Sequence, residues 1–162
     1  MVAAVAEVEA PARPLAGERM AGRPSYNEIE HTADVGMELE AADLKDAFEL
    51  AAASMFDLMC DLDSVRHSVC RTVRVRARDA DLENMMVRWL TELLYVFESE
   101  GLLLMYFDIR KLTSDLIEAG VAGEPYDPVR HALKTELKAV TYHDLAVDQS
   151  DGVWFVRVIF DT

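Results

Sequence analysis

The chain has 162 residues, of which 51% are hydrophobic, enough for one domain with a single substantial core and no need of a second. Lys and Arg number 16 against 30 Asp and Glu, a net charge of −14 that repels a phosphate backbone and argues against direct, non-specific nucleic-acid binding. Cations, basic proteins and basic patches on larger enzymes suit such a surface, although solubility alone accounts for it as well.

Residues 1–24 are rich in Ala, Pro and Gly and show neither a helical face nor an alternating strand, so they are expected to form a flexible tail ahead of a domain spanning 25–162. The tail carries Glu7, Glu9 and Glu18 against Arg13, Arg19 and Arg23; the whole negative charge therefore belongs to the domain. Met20 is an alternative start. Cys60 and Cys70 form no CxxC or Cys/His cluster, which points to buried free thiols in a reducing cytoplasm rather than zinc or a disulfide. No apolar run of membrane-spanning length and no secretory leader occurs.

From Ser25 the periodicity sharpens. Residues 25–31 read as a short strand, and 35–41 place Val35, Met37, Leu39 and Ala41 on one face, a half-buried strand. A helix follows, with Asp43 as N-cap and Leu44, Ala47, Phe48, Ala51, Met55, Leu58 and Met59 as its apolar stripe, ending near Asp61. Val73, Val75 and Ala77 alternate with Arg74, Arg76 and Arg78. That basic strand face lacks interleaved aromatics, so pairing with neighbouring acids is expected of it. A second helix spans about 81–98, with Leu82, Met85, Met86, Trp89, Leu90, Leu93, Leu94 and Phe97 along one side as core. After Gly101, residues 102–112 and 114–123 read as strands, and 123–128 (GEPYDP) as a loop. Residues 133–147 read as another strand turning at 149–152, and 153–161 as the clearest strand of all. Strands in runs around two long amphipathic helices predict an α+β fold with a mainly antiparallel sheet, because βαβ crossovers are too few for a doubly wound one.

The common nucleotide, hydrolase and metalloprotease motifs are absent, and the four histidines, His31, His67, His131 and His143, are too scattered for a single-helix metal pair. With no nucleophile, base or second metal constellation, a stand-alone metallohydrolase is disfavoured. What remains are carboxylates at strand ends and turns, above all Asp34, Glu136 and Asp161. Adjacent strand ends can bring such groups together as oxygen ligands for a hard cation. Taken singly, Asp34 reads equally as a turn or capping residue and Glu136 as an exposed strand residue. Asp161 sits beside the terminal carboxylate of Thr162, and two anions so close invite a cation or fray into solvent.

Three segments, YNEIEHTADVGMELEA at 26–41, GEPYDP with the following KTELKAVTYHDLAV up to 147, and the ending WFVRVIFDT, together resemble the archease family from about Ser25 to Thr162. The resemblance implies a protein partner, a GTP-dependent RNA ligase that joins RNA 3′-phosphate or 2′,3′-cyclic phosphate ends to 5′-hydroxyl ends, uses manganese and passes through a GMP adduct on one of its own histidines. It implies a non-enzymatic accessory that speeds guanylylation and permits many turnovers, with a bound divalent metal (calcium, manganese or magnesium). Carried over by residue, the metal ligands would be Asp34, Glu136, Asp161 and Thr162, and Arg130 would serve the ligase partner. Thr162 stands where an aliphatic residue is usual, and His131-Ala132 where His-Pro is common. A second class of function is a chaperone-like acidic module for a basic client.

Overall fold

The computed structural model describes residues 23–30, 33–78 and 80–162; most of the expected tail, as well as His31, lies outside these. The elements are β1 (Asn27–Glu30), β2 (Asp34–Ala41), α1 (Leu44–Met59), β3 (Val69–Arg76), α2 (Leu82–Glu100), β4 (Leu102–Leu112), β5 (Leu116–Pro125), β6 (Ala139–Val140), β7 (Ala146–Ser150) and β8 (Val153–Asp161). A single 3-10 turn, Leu62–Ser64, links α1 to β3. The strands form two sheets, one in the order β1-β2-β8 with β6 and β7 both on the far edge of β8, the other in the order β3-β5-β4. Every pairing is antiparallel, as the α+β reading expects.

Helix α1 begins at the cap expected of Asp43, and α2 is capped by Asp81, which the sequence marks only as the start of that helix. The Asp43 carboxylate accepts from the Asp46 amide at 2.8 Å, and Asp81 accepts from Glu83 and Asn84, each satisfying donors left open by the first helical turn. Helix α2 runs on to Glu100 and stops at Gly101, whose φ of 66° is a left-handed C-terminal conformation. Each helix touches strands of both sheets, so the pair fills the space between them. This explains a departure from the simple stripe: Ala51 to Met59 of α1 are all buried, Ala52, Ala53 and Phe56 included. The helices are tied together by Trp89, whose indole N–H donates to the Phe48 carbonyl at 3.0 Å inside the core, meeting the need of a buried ring donor.

Three expectations are corrected. Residues 133–147 do not form one strand. They make a bridge from Leu133 to Cys60, cross to the edge of β8 as the two-residue β6, and leave it at a turn where Asp144 takes a φ of 49°. Only then do they rejoin β8 as β7. The backbone partner changes from α1 to β8 within a few residues, which no uniform ladder allows. The loop expected at 123–128 starts later, because Gly123 to Pro125 still pair with Leu104 to Leu102 of β4. Finally, Cys60 is buried and its thiol is pushed up to about 11 by burial, whereas Cys70 is half-exposed beside His67, with Sγ 3.5 Å from Nε2.

On the basic face of β3, Arg74 pairs with Glu118 at 3.0 Å, as expected, whereas Arg71, which pairs with Glu100 at 2.9 Å, has the parity of the opposite face. Gly123 permits the closest approach in the small sheet, since a Cβ there would overlap the Leu103 carbonyl at a β-bulge of β4. Gly123→Ala is therefore expected to cost on the order of 3 kcal/mol of folding stability, through a backbone clash. Gly101→Ala, open on all sides, should cost only about 1 kcal/mol for its positive φ. Urea unfolding of the two variants measures both.

Candidate functional site

The antiparallel register of β2 against β8 sets Asp34 opposite Asp161. Asp34 is half-buried and Asp161 exposed. Two like charges facing across a strand pair repel one another, and among the described residues no lysine or arginine forms an ion pair with either. Backbone contacts fix the place: the Lys138 amide donates to the Asp161 carbonyl at 2.8 Å, Ala139 pairs with Asp161, and the Thr162 hydroxyl donates to the Ala33 carbonyl at 3.1 Å. Asp34, Asp161 and Thr162 are thus brought together at one end of the five-stranded sheet. Glu136 is exposed and precedes this contact by two residues, but it does not join the pair. Among the described residues no three His, Cys, Asp or Glu side chains gather closely enough to hold a metal ion. The fit to a cation is consequently partial: the described side chains supply two carboxylates, and further oxygens would have to come from elsewhere.

A second cluster was not foreseen from the residues. Glu124, at the end of β5, is buried, 6% exposed, yet it is fully met by donors. Arg130 grips it with two nitrogens, at 3.0 and 2.7 Å. The Arg66 amide donates to it at 2.8 Å, and the His131 Nε2 lies 2.9 Å away. His131 is completely buried, and its Nδ1 accepts from the Asp127 amide at 2.9 Å, which leaves the ring proton on Nε2 to be donated to Glu124. The Arg130 guanidinium, followed by the Arg66 amide and His131, holds the Glu124 carboxyl down at about 2 despite its burial. Arg130 also reaches the Ser64 carbonyl at 3.3 Å. The residue carried over as a partner contact is therefore engaged within the fold, with its side chain 35% exposed. One sequence signal was available: a lone carboxylate ending the small and apolar run AGVAGEP, with an arginine and a histidine six and seven residues on.

Nearby, Asp57 is buried on α1 and accepts from the Tyr26 hydroxyl at 3.0 Å. The Lys134 ammonium lies 3.9 Å from the Asp57 carboxylate and donates to the Asp57 carbonyl at 3.0 Å. Burial, then the bond to Asp57, pushes the Tyr26 hydroxyl up from its usual range. These contacts draw residues 23–26, the end of α1 and the 127–134 loop into one corner.

The model of the Archease protein family (MTH1598/TM1083) matches residues 26–162. An archease of Methanopyrus kandleri is 37% identical over 139 residues, covering 84% of this chain and 98% of its own length. The archease of Sulfolobus acidocaldarius is 34% identical over 134 residues, covering 82% of this chain and 95% of its own. The solution structure of protein 1598 of Methanobacterium thermoautotrophicum superposes with a TM-score of 0.70 at 28% identity, over 85% of this chain and 98% of that one.

Glu124 yields a test by acid. Its carboxyl is depressed in the folded state to about 2 from an ordinary value near ~4.3. The stabilisation it gives is complete above the ordinary value and is lost as pH falls through the folded one. Thermal stability should drop between about pH 4.5 and pH 2, and Glu124→Gln should flatten that part of the profile. The same variant should cost on the order of 2 kcal/mol at pH 7, since Arg130 and the Arg66 amide lose a charged acceptor. Scanning calorimetry across this range reads both effects.

Proposed function

The chain belongs to the archease family, and from that premise we propose that it is a non-enzymatic protein partner of a GTP- and manganese-dependent RNA ligase. In this reading it promotes the ligase's guanylylation and its multiple turnover in tRNA splicing or RNA repair, in the cytoplasm. The observation that carries the reading is the Asp34–Asp161 pair, two carboxylates set opposite each other, neither forming an ion pair among the described residues. Such an arrangement is costly in an apoprotein and is relieved by a divalent cation, whether calcium, manganese or magnesium. Asp34 and Asp161 would hold that ion, with Thr162 supplying an oxygen and Glu136 drawn in on binding. When bound, the ion supplies positive charge able to offset that of a nucleotide polyphosphate. The chain's own part is to present this edge on a strand buried through Val156, Val158 and Phe160, and to dock by its acidic surface on an enzyme whose RNA groove must be basic. No helix of the described residues is long and apolar enough to cross a membrane.

The second reading, an acidic holdase for a basic client, rests on the charge of −14 alone. The solved structure from Thermotoga maritima described as an archease and possible chaperone matches with a TM-score of 0.54 at 20% identity, over 83% of this chain and 94% of that one, which supports a shared fold.

Asp34→Asn and Asp161→Asn separate the two. Each should lower manganese and calcium affinity by calorimetry and reduce multiple-turnover ligation. Each should also keep or raise the melting temperature of the metal-free protein, because one of two adjacent like charges is gone. A carboxy-terminal tag should act in the same direction on metal and ligase. Variants that bind metal and stimulate the ligase like the parent would leave surface contact as the basis of activation. The isolated protein should also give no mobility shift with single-stranded or duplex RNA at about 0.15 M salt and up to about 10 μM protein.

A further inference from the structure

The stretch from Pro125, which ends β5, through the loop to Lys134 combines features that the established family membership does not account for. It exposes Pro125, Pro128 and Ala132, together with Val129, 92% exposed, and Leu133, 41% exposed. Exposed apolar side chains at 125, 128, 129, 132 and 133 thus gather on one short stretch, and apolar surface that forms a patch marks an interaction site.

The same loop is held at every step. The Tyr126 amide donates to the Gly101 carbonyl at 2.7 Å, and the Lys134 amide to the Met59 carbonyl at 2.8 Å, which pins both ends. Between them, the amides of Arg130 and His131 both donate to the Asp127 carbonyl, while the Val129 amide donates to the Asp127 carboxylate at 2.9 Å. The buried Glu124 and His131, gripped by the Arg130 guanidinium, lie directly behind. A loop fixed in this way has already given up the conformational freedom that binding would otherwise cost it.

Its charge indicates the kind of surface it meets. Within the loop, the turn it rests on and residues up to Glu136, the cations are largely spent: Arg130 on Glu124 and Lys134 on Asp57. Asp61 is taken by Arg23. Asp63, Asp127 and Glu136 form no ion pair among the described residues, leaving a negative rim with Arg66 as its counterweight. The backbone run that carries Val129 and Leu133 continues directly to Lys138 and Ala139, beside Asp161.

We infer that Val129 and Leu133, on this fixed loop, are the anchors that dock the chain onto its protein partner, filling an apolar hollow rimmed by basic side chains. The inference rests on the ligase reading above and names the surface used. Arg130 is then a positioning residue, supporting the anchors from behind through Glu124.

The test uses the full chain and the purified ligase, with affinity read by calorimetry and the fold by thermal melting. The Val129→Asp/Leu133→Asp double variant should weaken binding by about tenfold or more and melt like the parent, since both side chains are exposed. Val129→Ser/Leu133→Ser carries the same expectation should the aspartates disturb the fold. Val153→Asp, equally exposed at 41% but at the start of β8, should bind like the parent. Glu124→Gln, which frees the loop, should fall between. A double variant with the parent's affinity overturns the docking surface and leaves the ligase reading standing. A parent chain that does not bind the ligase overturns both.

Discussion

A helix rich in apolar residues on several sides cannot keep one face in water, and the second half of α1, buried at every position from Ala51 to Met59, is such a helix. Burying it requires a layer above and a layer below, which the two antiparallel sheets supply. Helix α2 shares the middle layer with a drier side against α1 and an outer side that carries Arg88 and Tyr95 into solvent. The rest of the architecture follows from this arrangement. Sheet faces turned toward the helices are lined by Val, Leu, Ile and Phe, and polar chemistry is displaced to the ends of strands and to the loops between them.

Two charge clusters occupy those ends, built on opposite principles. At Glu124 a carboxylate is buried with every donor it needs, so it is stable, low in pKa and structural in its effect. At Asp34 and Asp161 two carboxylates face each other without such donors, so their like charges oppose the strand pairing that brings them together. Stability is thus concentrated a few residues away from the place where it is given up, and the run from Asp127 to Val140 joins the two.

Much of this was readable in the residues. Asp43 as a cap, the alternation in β2 and β8, and the Met-rich core side of α2 each depend on neighbours close in sequence, and each was legible for that reason. Asp34 and Asp161 were legible as candidates only singly; their register is a product of pairing between distant strands. The broken run at 133–147 misled because Leu137 and Ala139 alternate with Glu136 and Lys138 as a strand would, while the hydrogen-bond partners change beneath them. Glu124, Arg130 and His131 were legible as isolated polar residues near a loop. Their convergence depends on Arg66 and Ser64, nearly sixty residues away or more, and no local pattern encodes that distance.

The pairing of β2 with β8 also has a kinetic side. Glu38 and Arg157, which meet across it, are 119 residues apart, whereas β4 and β5 are neighbours joined by a short turn. Closing the longer loop carries the larger entropic penalty. The three-stranded sheet and the helices can therefore assemble early, while β2 stands with an unpaired edge and one side of the helical layer stays wet until β8 arrives. Loop-closure entropy makes this late closure of the large sheet the step expected to be slow, and an open β2 edge before it the place where mispairing with other chains is expected.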